Sequence, residues 1–387
     1  MKKIAFIGTD TKLSGATLSM IALAKSLKET KKYDVVVIIP GNGEVEKNLK
    51  ENELKYYCIK SYPWVVNIND NFFKKILISS KFYIKSFLNI FAIRKIEKIL
   101  LEEKIDLIHI NSIYSYVGAK AAQKRNIKVI WHIREFLEED QNAKLYHKKS
   151  ALKLIEKSTA IITISKSVYD KYSKLLNNDN IYMIYNGIDV SKYYNEEKDI
   201  LKNEKIELVL PGTIQEGKGQ KELLRALDLL KKENENNFHL TLLGYATPEN
   251  EKELLSLIDE LNLNKNVEYI GFNRNVKKFL DDADISFTCS KAEAYGRTTV
   301  EAMLCGCLVI GRDTAGTAEL IDHMKTGLLY KSEDINDLKE KIKYAFHNRE
   351  EARKIAKNGR ENAKVNYTAE KNMNNIKKVY DKILGDE

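Results

Sequence analysis

Two carboxylates, Glu293 and Glu301, are separated by seven residues in SKAEAYGRTTVEAMLCGCLVI at 290–310, a segment that reads strand end, loop, helix, strand. Glu293 falls in a loop of small residues at a strand's carboxyl end, where a carboxylate has no local capping duty and is available to a ligand. Glu301 falls about one turn into the helix and has two readings. It could accept hydrogen bonds from neighbouring sugar hydroxyls, or it could close a capping box begun by Thr298. Thr298, Thr299 and Val300 open that helix, where backbone amides lack intrahelical acceptors and the dipole favours an anion such as a diphosphate. Arg297 sits at the same helix start, and a guanidinium fork there suits a phosphate.

A second segment, PGTIQEGKGQKELLRAL at 211–227, follows a strand and opens a helix. Gly212, four residues, then Gly217-Lys218 meets most of a nucleotide-triphosphatase phosphate loop, but Gly219 stands where the magnesium-binding Ser or Thr belongs. What remains is a flexible loop that places Lys218 at a helix N-terminus, a site that disfavours a cation unless an anion lies between them. A phosphate would supply that anion; a solvated Lys in a Gly-rich turn is the alternative. In the first half of the chain, WHIREFLEED at 131–140 puts His132 and Arg134 at a strand end. A lone His there is more often structural than functional. Asp282-Ala-Asp284 has the spacing of a metal-binding acidic pair but lies at a helix-to-strand junction, where polar capping is the better reading.

These residues need elements to hold them. KIAFIG at 3–8, VVVIIP at 35–40, DLIHI at 106–110, KVIWHI at 128–133, AIITIS at 160–165 and IYMIYNG at 181–187 read as buried strands between helix-length segments. After a charged stretch near 192–205 the pattern restarts with IELVLPG at 206–212, HLTLLG at 239–244, VEYIGF at 267–272, DISFTC at 284–289 and CLVIG at 307–311. Two such series predict an α/β protein of two Rossmann-like, doubly wound parallel-sheet domains facing a cleft, with the chemistry in loops at the carboxyl ends of strands. The predicted domains are 1–198, with a C-terminal helix at 368–387 packing back on it, and 199–367.

Glu293 and Glu301 within EAYGRTTVEAM, the preceding GTIQEGKG and the following GRDTAGTAELI closely resemble the retaining glycosyltransferases of family 4, group 1, which have the two-domain GT-B fold. The likeness runs from the glycine loop at 8–15 through IYNGID at 184–189 to the C-terminal helix. It implies a C-terminal domain that binds a nucleotide-diphosphate sugar, UDP- or GDP-linked. Lys218 would hold the diphosphate from the loop of Gly212 and Thr213, and Arg297, Thr298 and Thr299 would face its phosphates. Glu301 would bind the ribose hydroxyls, Glu293 the transferred sugar, and the backbone at Gly271-Phe272 the nucleobase. The resemblance also implies that His132 touches the donor sugar, that Gly15 lets the first loop approach the phosphates, and that Arg134 and Asp10 lie on the acceptor or sugar side. Many members have Arg where Thr213 stands, which shifts the neutralisation of leaving-group charge to Arg297 or to the other domain. It further implies transfer with retention, no cofactor and no metal, the charge being met by Lys218, Arg297 and helix amides.

Composition narrows the partners. The 387 residues are 43% hydrophobic and 31% charged with a net charge of +9, a globular rather than a disordered composition. Residues 1–198 hold 34 Lys and Arg against 22 Asp and Glu, so the basic excess lies in the first half. It gathers at 71–104, where Lys74, Lys75, Lys81, Lys85, Arg94, Lys95, Lys98 and Lys104 stand among Phe and Ile. Two readings stay open there: a helix packing its apolar face inward under a solvated basic face, and a surface-lying helix on an anionic membrane that carries the acceptor. No stacking or groove-reading motif points to nucleic acid. Four cysteines without disulfide or zinc spacing, no 18-residue apolar run and no signal peptide give the expectation of a cytoplasmic protein, peripheral on the inner membrane face if 71–104 binds lipid. The function predicted is hexosyl transfer to a glycan or polyprenyl-linked acceptor for bacterial surface polysaccharide. The alternatives are a nucleotide-sugar epimerase of the same fold and a non-catalytic nucleotide-sugar-binding protein.

Overall fold

The computed structural model describes residues 1–68 and 72–385, with the backbone alone over 72–80. Two units emerge, Met1–Gly187 with Ala369–Glu387, and Ile188–Thr368.

The first unit contains β1 (Lys2–Ile7), β2 (Tyr33–Ile39), β3 (Lys55–Cys58), β4 (Val65–Asn67), β5 (Leu107–Ile110), β6 (Lys128–Ile133), β7 (Ala143–Leu145), β8 (Ala160–Thr163) and β9 (Ile181–Met183). Seven of them form a parallel sheet in the order β3-β2-β1-β5-β6-β8-β9, while β4 and β7 pair as an antiparallel ribbon. Helices cover a parallel sheet on both faces, so its strands bury every side chain; Ile4 to Ile7 and Val35 to Ile39 accordingly lie in the core. Each such aliphatic side chain contributes on the order of 1.5–3 kcal/mol by leaving water. The helix Ala369–Leu384 belongs to this unit. It buries Ile376, Val379 and Tyr380 against the sheet side of the fold, and its Asp381 accepts hydrogen bonds from the Tyr33 hydroxyl and, at 2.7 Å, from Lys32 Nζ.

The helix Phe72–Glu102 settles part of the amphipathic question. Its inner side consists of Asn89, Ala92, Ile93, Ile96, Ile99 and Leu100. Ile84 and Phe87 are each 61% exposed and Phe91 49%, so these three face outward while a second apolar side of the helix packs inward. Periodicity alone could not distinguish two apolar stripes on one helix. Lys81, Lys85, Arg94, Lys95 and Lys98 are exposed with it, while the side chains of Phe73, Lys74, Lys75 and Ile76 lie outside the described residues.

The second unit holds β10 (Ile206–Pro211), β11 (Phe238–Leu243), β12 (Val267–Tyr269), β13 (Ile285–Thr288), β14 (Leu308–Arg312) and β15 (Leu328–Tyr330), all parallel, in the order β12-β11-β10-β13-β14-β15. The order reverses between β10 and β13, and at such a switch point the loops leaving two adjacent strands diverge and open a crevice. Asp284, at the start of β13, accepts from the Leu201 amide at 2.6 Å and the Glu207 amide at 2.9 Å. Its carboxylate is thereby occupied in stitching β13 to the chain entering β10, which explains the acidic pair by capping.

Candidate donor site and its counterpart in the first unit

The switch point of the second unit joins the two segments singled out in the sequence. The loop leaving β10 carries Lys218, the loop leaving β13 carries Glu293, and Lys218 Nζ stands 3.1 Å from Glu293 Oε2. Both side chains keep about a fifth of their surface open to solvent, so the pair is reachable by a ligand. Gly219 caps the helix Gln220–Lys232 at φ +81°, and a Cβ there would lie 2.3 Å from the Cys289 carbonyl oxygen. The hydroxyl residue of a triphosphatase loop is therefore excluded by close approach of the two loops as well as by backbone conformation. Gly316 does the complementary work behind Glu293. Its N–H donates to the Glu293 carbonyl at 2.9 Å, and a Cβ at 316 would lie 2.7 Å from that oxygen, so only glycine lets the loop be held this closely.

The helix Arg297–Leu304 begins after Gly296, and Glu301 is 5% exposed. Its carboxylate accepts from Arg297 Nε at 2.7 Å and from the Tyr193 hydroxyl. The capping box from Thr298 is thus not formed: the helix is capped two residues earlier than that motif requires, at Gly296, and Glu301 faces Arg297 instead. The Thr299 and Val300 amides both donate to the Gly296 carbonyl, so two of the three amides expected to face a diphosphate are engaged by the helix's own first turn. The Thr299 hydroxyl is buried against that of Thr288 at 2.9 Å, a packing role. Tyr193, which sequence reading missed, is held well above its usual range chiefly by burial and then by the Glu301 charge, so it stays a hydrogen-bond donor. Thr213 and Gly212 lie on the same loop as Lys218, and the Thr213 carbonyl accepts from Gln220 Nε2 at 3.0 Å. Gly271 joins this edge by accepting from the Gly244 amide at 2.9 Å, and Phe272 beside it is 68% exposed.

At the corresponding strand ends of the first unit, Gly15 opens the helix Gly15–Glu29 under the cap of Ser14. Asp10 Oδ2 accepts from Ser14 Oγ at 2.6 Å and Thr17 Oγ1 at 3.3 Å, a local bracing of the loop. His132 is fully buried and Arg134 is 6% exposed. Arg134 donates from Nε to Asn111 Oδ1 at 3.0 Å, from Nη1 to Asn186 Oδ1 at 2.5 Å, and from Nη2 to His132 Nδ1 at 3.3 Å. His132 Nδ1 also lies 3.0 Å from His109 Nε2. Glu135, a further residue missed in the sequence although it adjoins Arg134, is buried with Ser112 Oγ at 2.8 Å, and burial pushes its carboxyl up to about 7. Two strands that end side by side, β5 and β6, produce this cluster; nothing in the separate segments announces it. Among the described residues, no group of three or more His, Cys, Asp or Glu could hold a metal ion.

Two doubly wound units, each with polar residues gathered at the carboxyl ends of its strands, form the GT-B architecture. The family model "Glycosyltransferase Family 4" matches residues 13–192 and "Glycosyl transferases group 1" matches 193–362; the chain belongs to this family. Among its relatives, an N-acetyl-alpha-D-glucosaminyl L-malate synthase of Bacillus anthracis is 26% identical over 245 residues, 60% of this chain and 62% of that protein. The capsular polysaccharide biosynthesis glycosyltransferase CapH of Staphylococcus aureus is 26% identical over 60% of this chain and 66% of its own. The chain thus spans slightly under two thirds of each of these two relatives. The crystal structure of Anabaena HepE in complex with UDP and glucose matches with a TM-score of 0.80 at 21% identity, covering 99% of this chain and 100% of that one. These relatives give the epimerase alternative no support.

Proposed function

We propose that the protein is a retaining, metal-independent hexosyltransferase that takes its sugar from a UDP- or GDP-linked donor and passes it to a glycan or polyprenyl-linked acceptor in cell-surface polysaccharide synthesis. The observation that carries this reading is the meeting of Lys218 and Glu293 at the switch point of the second unit, beside the Arg297–Glu301 pair. In this assignment the second unit is the donor side and the first the acceptor side. Lys218 and Arg297 neutralise the charge that grows on the departing diphosphate, and a preformed cation costs little reorganisation as that charge appears. Glu301 binds the ribose hydroxyls as an acceptor, and Glu293 orients the hexose near its reacting carbon. Phe272 offers an exposed face beside Gly271 to the nucleobase. Glucose and UDP in the complex of the Anabaena relative, and the capsular role in the name of the Staphylococcus relative, favour a UDP-linked hexose and a surface glycan.

The outward stripe of Ile84, Phe87 and Phe91, flanked by five exposed cations, supports attachment to an anionic lipid surface, where a polyprenyl-linked acceptor would be found. Among the described residues no helix is long and apolar enough to cross a membrane.

The test is a thermal-shift screen over nucleotide sugars without added divalent cation, followed by determination of the anomeric configuration of the product. A donor that binds only the folded state raises the melting temperature. An unchanged melting temperature with every nucleotide sugar overturns the donor-site assignment, an absolute need for a cation overturns metal independence, and an inverted product overturns retention.

A further inference from the structure

The buried cluster behind β6 has a direction. Arginine carries only donors, so the Nη2 of Arg134, 3.3 Å from His132 Nδ1, requires that nitrogen to be an acceptor. His132 is then neutral with its proton on Nε2. The same nitrogen lies 3.0 Å from His109 Nε2, and because it accepts, His109 Nε2 must donate. His109 Nδ1 is left as an acceptor, and the group 2.6 Å from it is the hydroxyl of Tyr380, on the helix Ala369–Leu384. Every proton in the chain Tyr380–His109–His132 is thereby fixed by one residue without a lone pair to give, since the partner of one imidazole nitrogen sets the state of the other. At the far end, His132 Nε2 is buried without a hydrogen-bond partner among the described residues. A buried donor left unmatched is costly, and proteins seldom keep one without a use.

Resting on the reading of His132 as a donor-contact residue, we infer that Tyr380 and His109 are positioning residues which, with Arg134, hold His132 as a neutral hydrogen-bond donor through Nε2. The ligand group it takes is an uncharged acceptor oxygen, the class to which the hydroxyls of a hexose belong. His132 does not serve as a general base, because its one unprotonated nitrogen faces Arg134 and His109. Burial first, and then the Arg134 charge, hold both histidines well below their usual range, in keeping with two neutral rings. The C-terminal helix thereby acts on the site through two rings rather than by contact.

Two-bond proton–nitrogen NMR spectra of the full chain labelled with 15N-histidine read this directly, with His109→Gln and His132→Gln supplying the assignments. The expected spectrum has one protonated and one unprotonated nitrogen in each ring, the proton on Nε2 in both. A proton on Nδ1 of either ring, or an imidazolium at neutral pH, overturns the inference in the unmodified protein, whatever the variants do. Tyr380→Phe is expected to leave the fold intact and the His109 proton on Nε2, to strip His109 Nδ1 of its donor, move the His109 and His132 Nδ1 signals and lower kcat/KM about tenfold, the scale of one lost hydrogen bond in a network. Unmoved His132 signals in Tyr380→Phe overturn the relay. Addition of UDP-glucose separates this inference from the reading beneath it. A shift of His132 Nε2 supports both, whereas the stated tautomers with no response to bound UDP-glucose leave the relay standing and remove His132 from the donor contacts.

Discussion

Lys218 and Glu293 are 75 residues apart in the chain and 3.1 Å apart in the fold. Neither segment contains a reason for the other; the pairing exists because β10 and β13 are neighbours across a reversal of strand order. A cation and a carboxylate so placed can serve the two ends of one ligand, a diphosphate and the sugar it carries. Glu293→Ala and Lys218→Ala are therefore expected to lower kcat/KM for transfer by about 10²–10³, the scale of losing one preorganised electrostatic contact. Steady-state kinetics with the donor found by thermal shift checks this. Wild-type rates in either variant would remove that residue from the mechanism.

Glu301 is expected to act mainly in binding. Glu301→Gln keeps the shape but weakens the hydrogen bonds made by a charged acceptor, worth about 1.5–3 kcal/mol when intact. The KM for donor should rise roughly ten- to hundredfold, with kcat changed much less. A fall in kcat at constant KM would instead place Glu301 among groups that act only in the transition state.

Gly219→Ser tests why the phosphate-loop pattern breaks where it does. The substitution restores the hydroxyl that a triphosphatase would have, but its Cβ would lie 2.3 Å from the Cys289 carbonyl at a backbone φ of +81°. A loss of stability of about 2 kcal/mol or more in urea unfolding, with no gain of nucleotide hydrolysis, is the expected result. Unchanged stability would mean that the two loops part more easily than their contact suggests.

Glu135 supplies a pH signature. Its carboxyl is raised to about 7 in the fold from an ordinary value of 4.5, so the folded state retains a proton between these values that the unfolded chain has given up. That contribution to stability is complete below about pH 4.5 and is lost as pH rises through 7. Glu135→Gln copies the protonated form. Its stability relative to wild type should climb with pH and level off above pH 8, about 3 kcal/mol higher than at pH 4. A difference that stays flat with pH would contradict the buried, protonated carboxyl. The two buried histidines work in the opposite sense. Held below their usual range, they withdraw stability as pH falls beneath that range, so only the difference between variant and wild type isolates Glu135.

For the helix Phe72–Glu102, vesicles of phosphatidylglycerol and phosphatidylcholine provide the measurement. Phe87→Ser with Phe91→Ser is expected to reduce co-sedimentation about tenfold or more while leaving thermal stability unchanged, because both rings point outward. Lys81→Glu with Lys85→Glu should reduce binding chiefly to vesicles rich in the anionic lipid and at low salt. Binding that survives both pairs of substitutions would take the membrane away from this surface.

Much of the architecture is legible in the sequence because buried parallel strands leave uninterrupted apolar runs. Strands β1, β2, β5, β6 and β8 of the first unit and β10, β11, β13 and β14 of the second all announce themselves this way. The strands that escape are β3, β4, β7 and β15: β3 and β4 have no buried residue, and β7 and β15 have three residues each with the middle one not buried, so none leaves an uninterrupted buried run. Lys218, Glu293, Arg297 and Glu301 stand out in the sequence because each sits in a segment whose spacing is unusual. Their partners are not: Tyr193 reaches Glu301 from 108 positions away, and Tyr380 reaches His109 across 271. The capping box at Thr298 shows the opposite error, a local pattern satisfied in sequence and displaced by two residues in the fold.

The helix that carries Tyr380 also has a temporal meaning. It closes the first unit, yet the whole of Ile188–Thr368 is translated before it. During synthesis the seven-stranded sheet must wait, with His109 lacking its hydroxyl partner and a strip of core around Tyr33 uncovered, until the helix Ala369–Leu384 has been made. The helix Ala369–Leu384 is thus a late seal, and a chain truncated before it would present a nearly finished first unit whose His109 Nδ1 has no hydroxyl to accept from.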